Sequence, residues 1–167
     1  MINIKQFFLG TKKYMETTKL GTFEASVWKE NTEKEISWCS TIGIKDYSED
    51  ITIILEGDGY EPSKKQIESA TWIIENISEI DTELIAKINR NPELIEKYGM
   101  YNLSYLRLSC LNPWDISLNS YELTYESIIG KEFSVSAIVQ KNMIVEIYSK
   151  LSLTGEFQLV KKKYFNF

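Results

Sequence analysis

The sequence predicts an α+β fold, a largely antiparallel sheet with a central block of two to three helices packed on one face. Three observations carry the prediction. Residues 61–99 show helical apolar periodicity, alternating strand patterns lie on both sides of them, and turn residues separate those strands. No Pro/Gly/Ser-rich linker interrupts the chain, so residues 1–167 read as a single α+β domain.

The helical block comes first because the rest is arranged around it. Ile67, Ala70, Ile73, Ile74, Ile77 and Ile80 fall in one apolar arc at about 100° per residue, the pattern of a helix lying on a sheet. Pro62 suits a first turn, where the missing amide costs nothing. Asp81 is placed to cap a second helix carrying Leu84, Ile85 and Ile88 inward. Asn91-Pro92 would restart the chain as cap and first helical residue, and Tyr98-Gly99 would stop it. Trp72 projects away from the isoleucine stripe. A neighbouring element would cover it, or it would serve as an anchor for a partner protein.

Ahead of the block, residues 12–17 and 22–29 read as strands around Gly21. The second puts Phe23, Ala25 and Val27 on one face and Glu24, Ser26 and Trp28 on the other. Residues 35–45 alternate in the same way, and Ile51-Thr52-Ile53-Ile54-Leu55 is dense enough for a central strand. Behind the block, residues 101–111 fit a short helix or a strand, and Asn112-Pro113 marks a turn. Strands follow at residues 114–118, 121–126, 133–139 and 143–148, with turns at Asn119-Ser120, Gly130-Lys131 and Lys141-Asn142. Residues 157–165 offer a further strand, whose lysines would guard an exposed edge.

Composition narrows the chemistry. The net charge is −5, with the acidic excess in residues 1–99, which disfavours nucleic acid and favours a basic protein partner. No apolar run approaches membrane-span length, and the Phe7-Phe8-Leu9 patch lacks a signal-peptide core, so neither membrane nor export is expected. Cys39 and Cys110 lie far apart in sequence and in apolar surroundings, which favours reduced core thiols over a structural disulfide and points to the cytoplasm. Histidine is absent, which removes the usual general base, every Ser/His or Cys/His nucleophile pair and His-based zinc sites. Two cysteines cannot supply a four-thiolate zinc site either, and no cofactor or metal is expected.

The segment from Glu56 to Pro62, with Gly57 and Gly59, has the look of a phosphate loop. Its carboxylates Glu56, Asp58 and Glu61 would repel phosphate and no Walker lysine follows, so an acidic turn is the better reading. Glu56 and Asp58 could instead serve as paired carboxylates of a hydrolase or as ligands of a hard metal.

The strand at residues 23–29, Ile51-Thr52-Ile53-Ile54-Leu55 followed by Glu61-Pro62-Ser63-Lys64-Lys65-Gln66, and the long helix carry a resemblance. Tyr121-Glu122-Leu123-Thr124-Tyr125-Glu126, Phe133-Ser134-Val135 and Met143-Ile144-Val145-Glu146 extend it. In order and pattern, over residues 20–148, the chain resembles a group of uncharacterised bacterial α+β domains associated with polymorphic toxin systems and regarded as immunity-protein-like. The resemblance implies a cytoplasmic protein, not an enzyme, that binds and neutralises a cognate protein toxin. The residue pool for that interface is Glu24, Trp28, Glu49, Asp50, Glu56, Asp58 and Trp72. The alternatives are a carboxylate-dependent hydrolase and a self-associating structural or regulatory module.

Overall fold

A computed structural model describes residues 10–27, 36–45, 47, 49–92, 95, 106–115, 119–127, 133–151 and 160–163. The chain divides into two compact units, Met1–Trp72 and Ile73–Phe167. Strands dominate both.

In the first unit, β1 (Thr11–Thr17), β2 (Gly21–Val27), β3 (Ile36–Ile42) and β4 (Ile51–Gly57) lie side by side in chain order, each antiparallel to the next. Alternation sorts their residues. Phe23, Ala25, Val27, Ile36, Trp38, Ile51, Ile53 and Leu55 are buried on one face, while Thr22, Ser26, Ser37, Cys39 and Thr41 are exposed on the other. The β1–β2 turn is tied by the Thr17 hydroxyl, which donates to the Gly21 carbonyl at 2.9 Å and accepts from the Leu20 amide at 3.0 Å. Gly21 has φ +72°, the left-handed conformation that glycine tolerates. The Trp38 indole donates to the Asp58 carbonyl at 3.0 Å, so the buried ring also satisfies its polar end.

Helix α1 (Lys64–Glu75) follows β4, and the boundary between units falls inside it. Its start is bolted to the strand: the Glu56 amide donates to Gln66 Oε1 at 2.7 Å and the Ser63 amide to the Glu56 carbonyl at 2.8 Å. Gln66 is thereby buried at the head of a stripe continued by Ala70 and Ile73, while Ile67 and Ile74 are half-buried at its margin.

The second unit contains α2 (Ile77–Asn89) and the strands β5 (Leu106–Asp115), β6 (Ser120–Ser127), β7 (Phe133–Gln140), β8 (Met143–Leu151) and β9 (Val160–Lys163). The strands pair antiparallel in chain order. One face carries Leu108, Leu111, Leu123, Tyr125, Val135, Ala137, Val139 and Ile144, all buried. Helix α2 lies on this face. The Tyr125 hydroxyl donates to Asp81 Oδ1 at 2.5 Å, and Lys87 Nζ donates to the Ile144 carbonyl at 3.1 Å.

The α+β expectation, with a central block of two to three helices on one face of a largely antiparallel sheet, is overturned. Strands make up most of the structure, and the described residues contain two helices of 12 and 13 residues against nine strands. The physical reason lies in how apolar runs were divided. Every element described from Leu106 onward is a strand, and Asn112-Pro113 lies inside β5, opposite Glu122 and Tyr121, where a register shift between Pro113 and Asp115 accommodates the missing amide. The helix break also moves. Asn76, with φ −110° and ψ 17°, separates α1 from α2. Asp81 is therefore no cap but a buried residue one turn inside α2. The expected third helix falls mostly outside the described residues; within them, the Ile95 amide donates to the Asn91 carbonyl at 3.0 Å, one turn of helical bonding after Asn91. No helix among the described residues is long and apolar enough to cross a membrane.

Candidate functional site

The exposed face of the first sheet gathers part of the predicted residue pool. Register places Tyr14, Glu24, Cys39 and Ile54 in one row across β1, β2, β3 and β4. Tyr14 is 63% exposed, Cys39 is exposed, and Glu24 and Ile54 are partly so. Lys12, on the same face of β1, forms an ion pair with Glu24 that raises the lysine pKa. Glu56 stands two residues beyond Ile54 on this face, opposite Ser37, and is half-buried. An aromatic ring, an aliphatic side chain, a thiol and carboxylates thus share one strip of sheet.

The thiol is a poor nucleophile. Partial burial, with the Glu24 charge beside it, pushes the Cys39 pKa up, so the thiolate is scarce at neutral pH. Cys39 and Cys110 are both thiols, but neither is the core residue that the sequence suggests: Cys39 is exposed and Cys110 half-buried.

Asp58 does different work. Its Oδ1 accepts the Tyr60 amide at 2.7 Å and the Glu61 amide at 2.9 Å, and these bonds, that from Glu61 foremost, hold its carboxyl below the usual carboxylate range. The residue closes the turn between β4 and α1. Gly57 pairs with Pro62 in an isolated bridge, and a Cβ there would collide with the Glu61 carbonyl and the Pro62 Cα. The resemblance to a phosphate loop is therefore explained by close backbone approach. Tyr60 is 72% exposed at the tip of this turn, with the Lys13 ammonium 6.0 Å from its ring centroid.

The rest of the pool is scattered. Glu49 and Asp50 are exposed just before β4, and Trp72 is half-buried in α1. Trp28 lies outside the described residues.

Sequence reading missed two groups in the second unit. One is the Asp81–Tyr125 pair. The other is the face of the β5–β8 sheet opposite α2. There Asn112, Glu122, Ile138 and Glu146 form one row across four strands, with Thr124 and Ser136 in the next. Glu122 is 6% exposed and Ser136 fully buried. Asn112 Nδ2 donates to Glu122 Oε2 at 3.2 Å, while Asn112 Oδ1 and Ser136 Oγ are buried with no hydrogen-bond partner. The polar alternation of Glu122, Thr124 and Glu126 was the available signal, but such a pattern ordinarily marks a solvated face. No cluster of three or more Asp, Glu, His or Cys side chains able to hold a metal occurs among the described residues.

No family model, curated protein or solved structure matches the chain.

Proposed function

We propose that the chain is a non-catalytic binding protein of immunity type. It acts in the bacterial cytoplasm by holding a cognate, basic protein toxin against the exposed face of the β1–β4 sheet. The observation that carries this reading is the Tyr14–Glu24–Cys39–Ile54 row, where a 63%-exposed tyrosine and an aliphatic side chain stand among carboxylates on a sheet face turned to solvent. Interfaces use this combination: the aromatic and aliphatic groups supply burial, and the flanking charge steers the partner and sets the register. Glu49, Asp50 and Asp58 add negative charge before and after β4. The absence of histidine and the raised thiol pKa of Cys39 agree with a role that needs no catalysis.

The test is capture of the tagged chain from its native bacterium, with mass spectrometry of what comes with it. The reading expects one stoichiometric basic protein that is toxic when expressed alone and harmless when co-expressed with this chain. Recovery of the chain by itself, under conditions where a toxin is expressed, rejects it.

A further inference from the structure

We propose that the second unit contains a binding site for a hard divalent cation, calcium in particular, on the sheet face opposite α2. The site is built from the side-chain oxygens of Asn112, Glu122, Ser136 and Glu146. Register brings them together. Glu122 and Glu146 flank Ile138 on β6 and β8, Asn112 stands opposite Glu122 on β5, and Ser136, two residues before Ile138 on β7, is diagonal to both glutamates. Neighbouring strands are about 4.8 Å apart, so glutamates two strands apart can converge above the residue between them.

Two buried oxygens show that this set is incomplete as it stands. A serine hydroxyl rotates freely and donates to any carboxylate within reach. Ser136 Oγ, in a side chain with no exposure at all, is buried with no hydrogen-bond partner, although register places Ser136 diagonal to both glutamates. Asn112 gives an amide hydrogen to Glu122, and its own Oδ1 is a second buried acceptor with no hydrogen-bond partner. Buried polar atoms left in this way cost about 1–3 kcal/mol each, and a fold retains them where something completes them.

The chemistry of the set selects the ligand. Carboxylate, carboxamide and hydroxyl oxygens with no nitrogen or sulfur donor suit a hard cation and not zinc or copper. Calcium accepts six to eight oxygens in irregular geometry at about 2.3–2.6 Å, whereas magnesium demands a near-ideal octahedron. Side chains spread over four strands favour the more tolerant ion. Glu122 is the more deeply buried of the two carboxylates, so it is the ligand on which affinity turns.

The experiment is calorimetric titration of the chelator-treated full chain with calcium chloride, paired with thermal unfolding. One calcium per chain, saturable and raising the melting temperature, is expected. Glu122→Gln is expected to lower affinity at least about tenfold, and Ser136→Ala to weaken binding while the fold is retained, since its hydroxyl has no partner to lose. Glu16→Gln, at an exposed position of β1 in the other unit, leaves binding unchanged. Absence of saturable binding at millimolar calcium overturns the site, as does calcium binding that survives Ser136→Ala and Glu122→Gln undiminished. If Glu122→Gln fails to fold, Ser136→Ala decides alone.

Discussion

Asp58 shows how one side chain can be mistaken for chemistry when its work is local. Its carboxylate takes the amides of Tyr60 and Glu61, and these bonds depress its pKa from the ordinary value of 3.8. A depressed folded pKa gives stability that is present above the unfolded value and is lost as pH falls through the folded one. The urea midpoint of the wild type should therefore decline as pH drops below about 4. Asp58→Asn, which keeps an acceptor but not the titration, should show a shallower decline over the same interval. Equal slopes would mean that the carboxylate charge does not support the turn. Asp81 is the opposite case, a carboxylate 4% exposed inside α2 whose Oδ1 takes the Tyr125 hydroxyl. Tyr125→Phe removes that donor and should cost about 1–3 kcal/mol in denaturant unfolding, because a buried acceptor loses a bond. Adding Asp81→Leu to it should recover part of the loss, as an apolar replacement of both partners removes the buried acceptor along with its lost donor. A double variant no more stable than Tyr125→Phe alone would argue against coupling.

At the scale of elements, the strands of both units were largely legible, because alternation is a strong signal over seven or eight residues and turns have recognisable residues. Lys141 and Asn142, with φ of 49° and 64°, form the two-residue hairpin between β7 and β8 that the sequence marks there. Asn142→Gly should be neutral or slightly stabilising, and Asn142→Val should lower the melting temperature, since a β-branched residue resists positive φ. The helical block was less legible for a definable reason. Periodicity finds the isoleucine stripe but not the residue that interrupts it, and Asn76 looks no more like a break than Asp81 does. Asp81 has the composition of a cap, yet a tertiary partner on β6 claims it. Pro113 likewise has the composition of a turn, and the irregular β5–β6 register absorbs it into a strand. Gly57 was recognised as a special position, though what it serves is approach to Glu61 and Pro62; Gly57→Ala should destabilise by about 1–3 kcal/mol through that collision.

At the scale of the molecule, the candidate surface was legible only in outline. Alternation along β2 put Glu24 opposite Phe23 and Ala25, and the structure keeps it on the exposed face. Which residues share that face from other strands depends on register, and no local pattern in the sequence states that Tyr14 stands beside Glu24, or Ile54 beside Cys39. Tyr14 is therefore added to the proposed interface, and Asp58 moves to a structural role in the turn beside it. The buried polar row of the second sheet was hidden for a related reason: alternation separates two faces but does not say which is covered.

Partner binding through the β1–β4 face is tested most directly by one measurement: the affinity of the captured partner for the wild type and for Tyr14→Ala combined with Glu24→Lys, each checked for an unchanged melting temperature. Tyr14 is exposed and Glu24 partly so, the melting temperature reports the loss of the Lys12 ion pair, and an interface centred on that row predicts a loss of at least about a hundredfold, the scale of a central aromatic anchor together with a reversed charge. An affinity within about twofold of wild type would place the partner elsewhere and remove this face from the function.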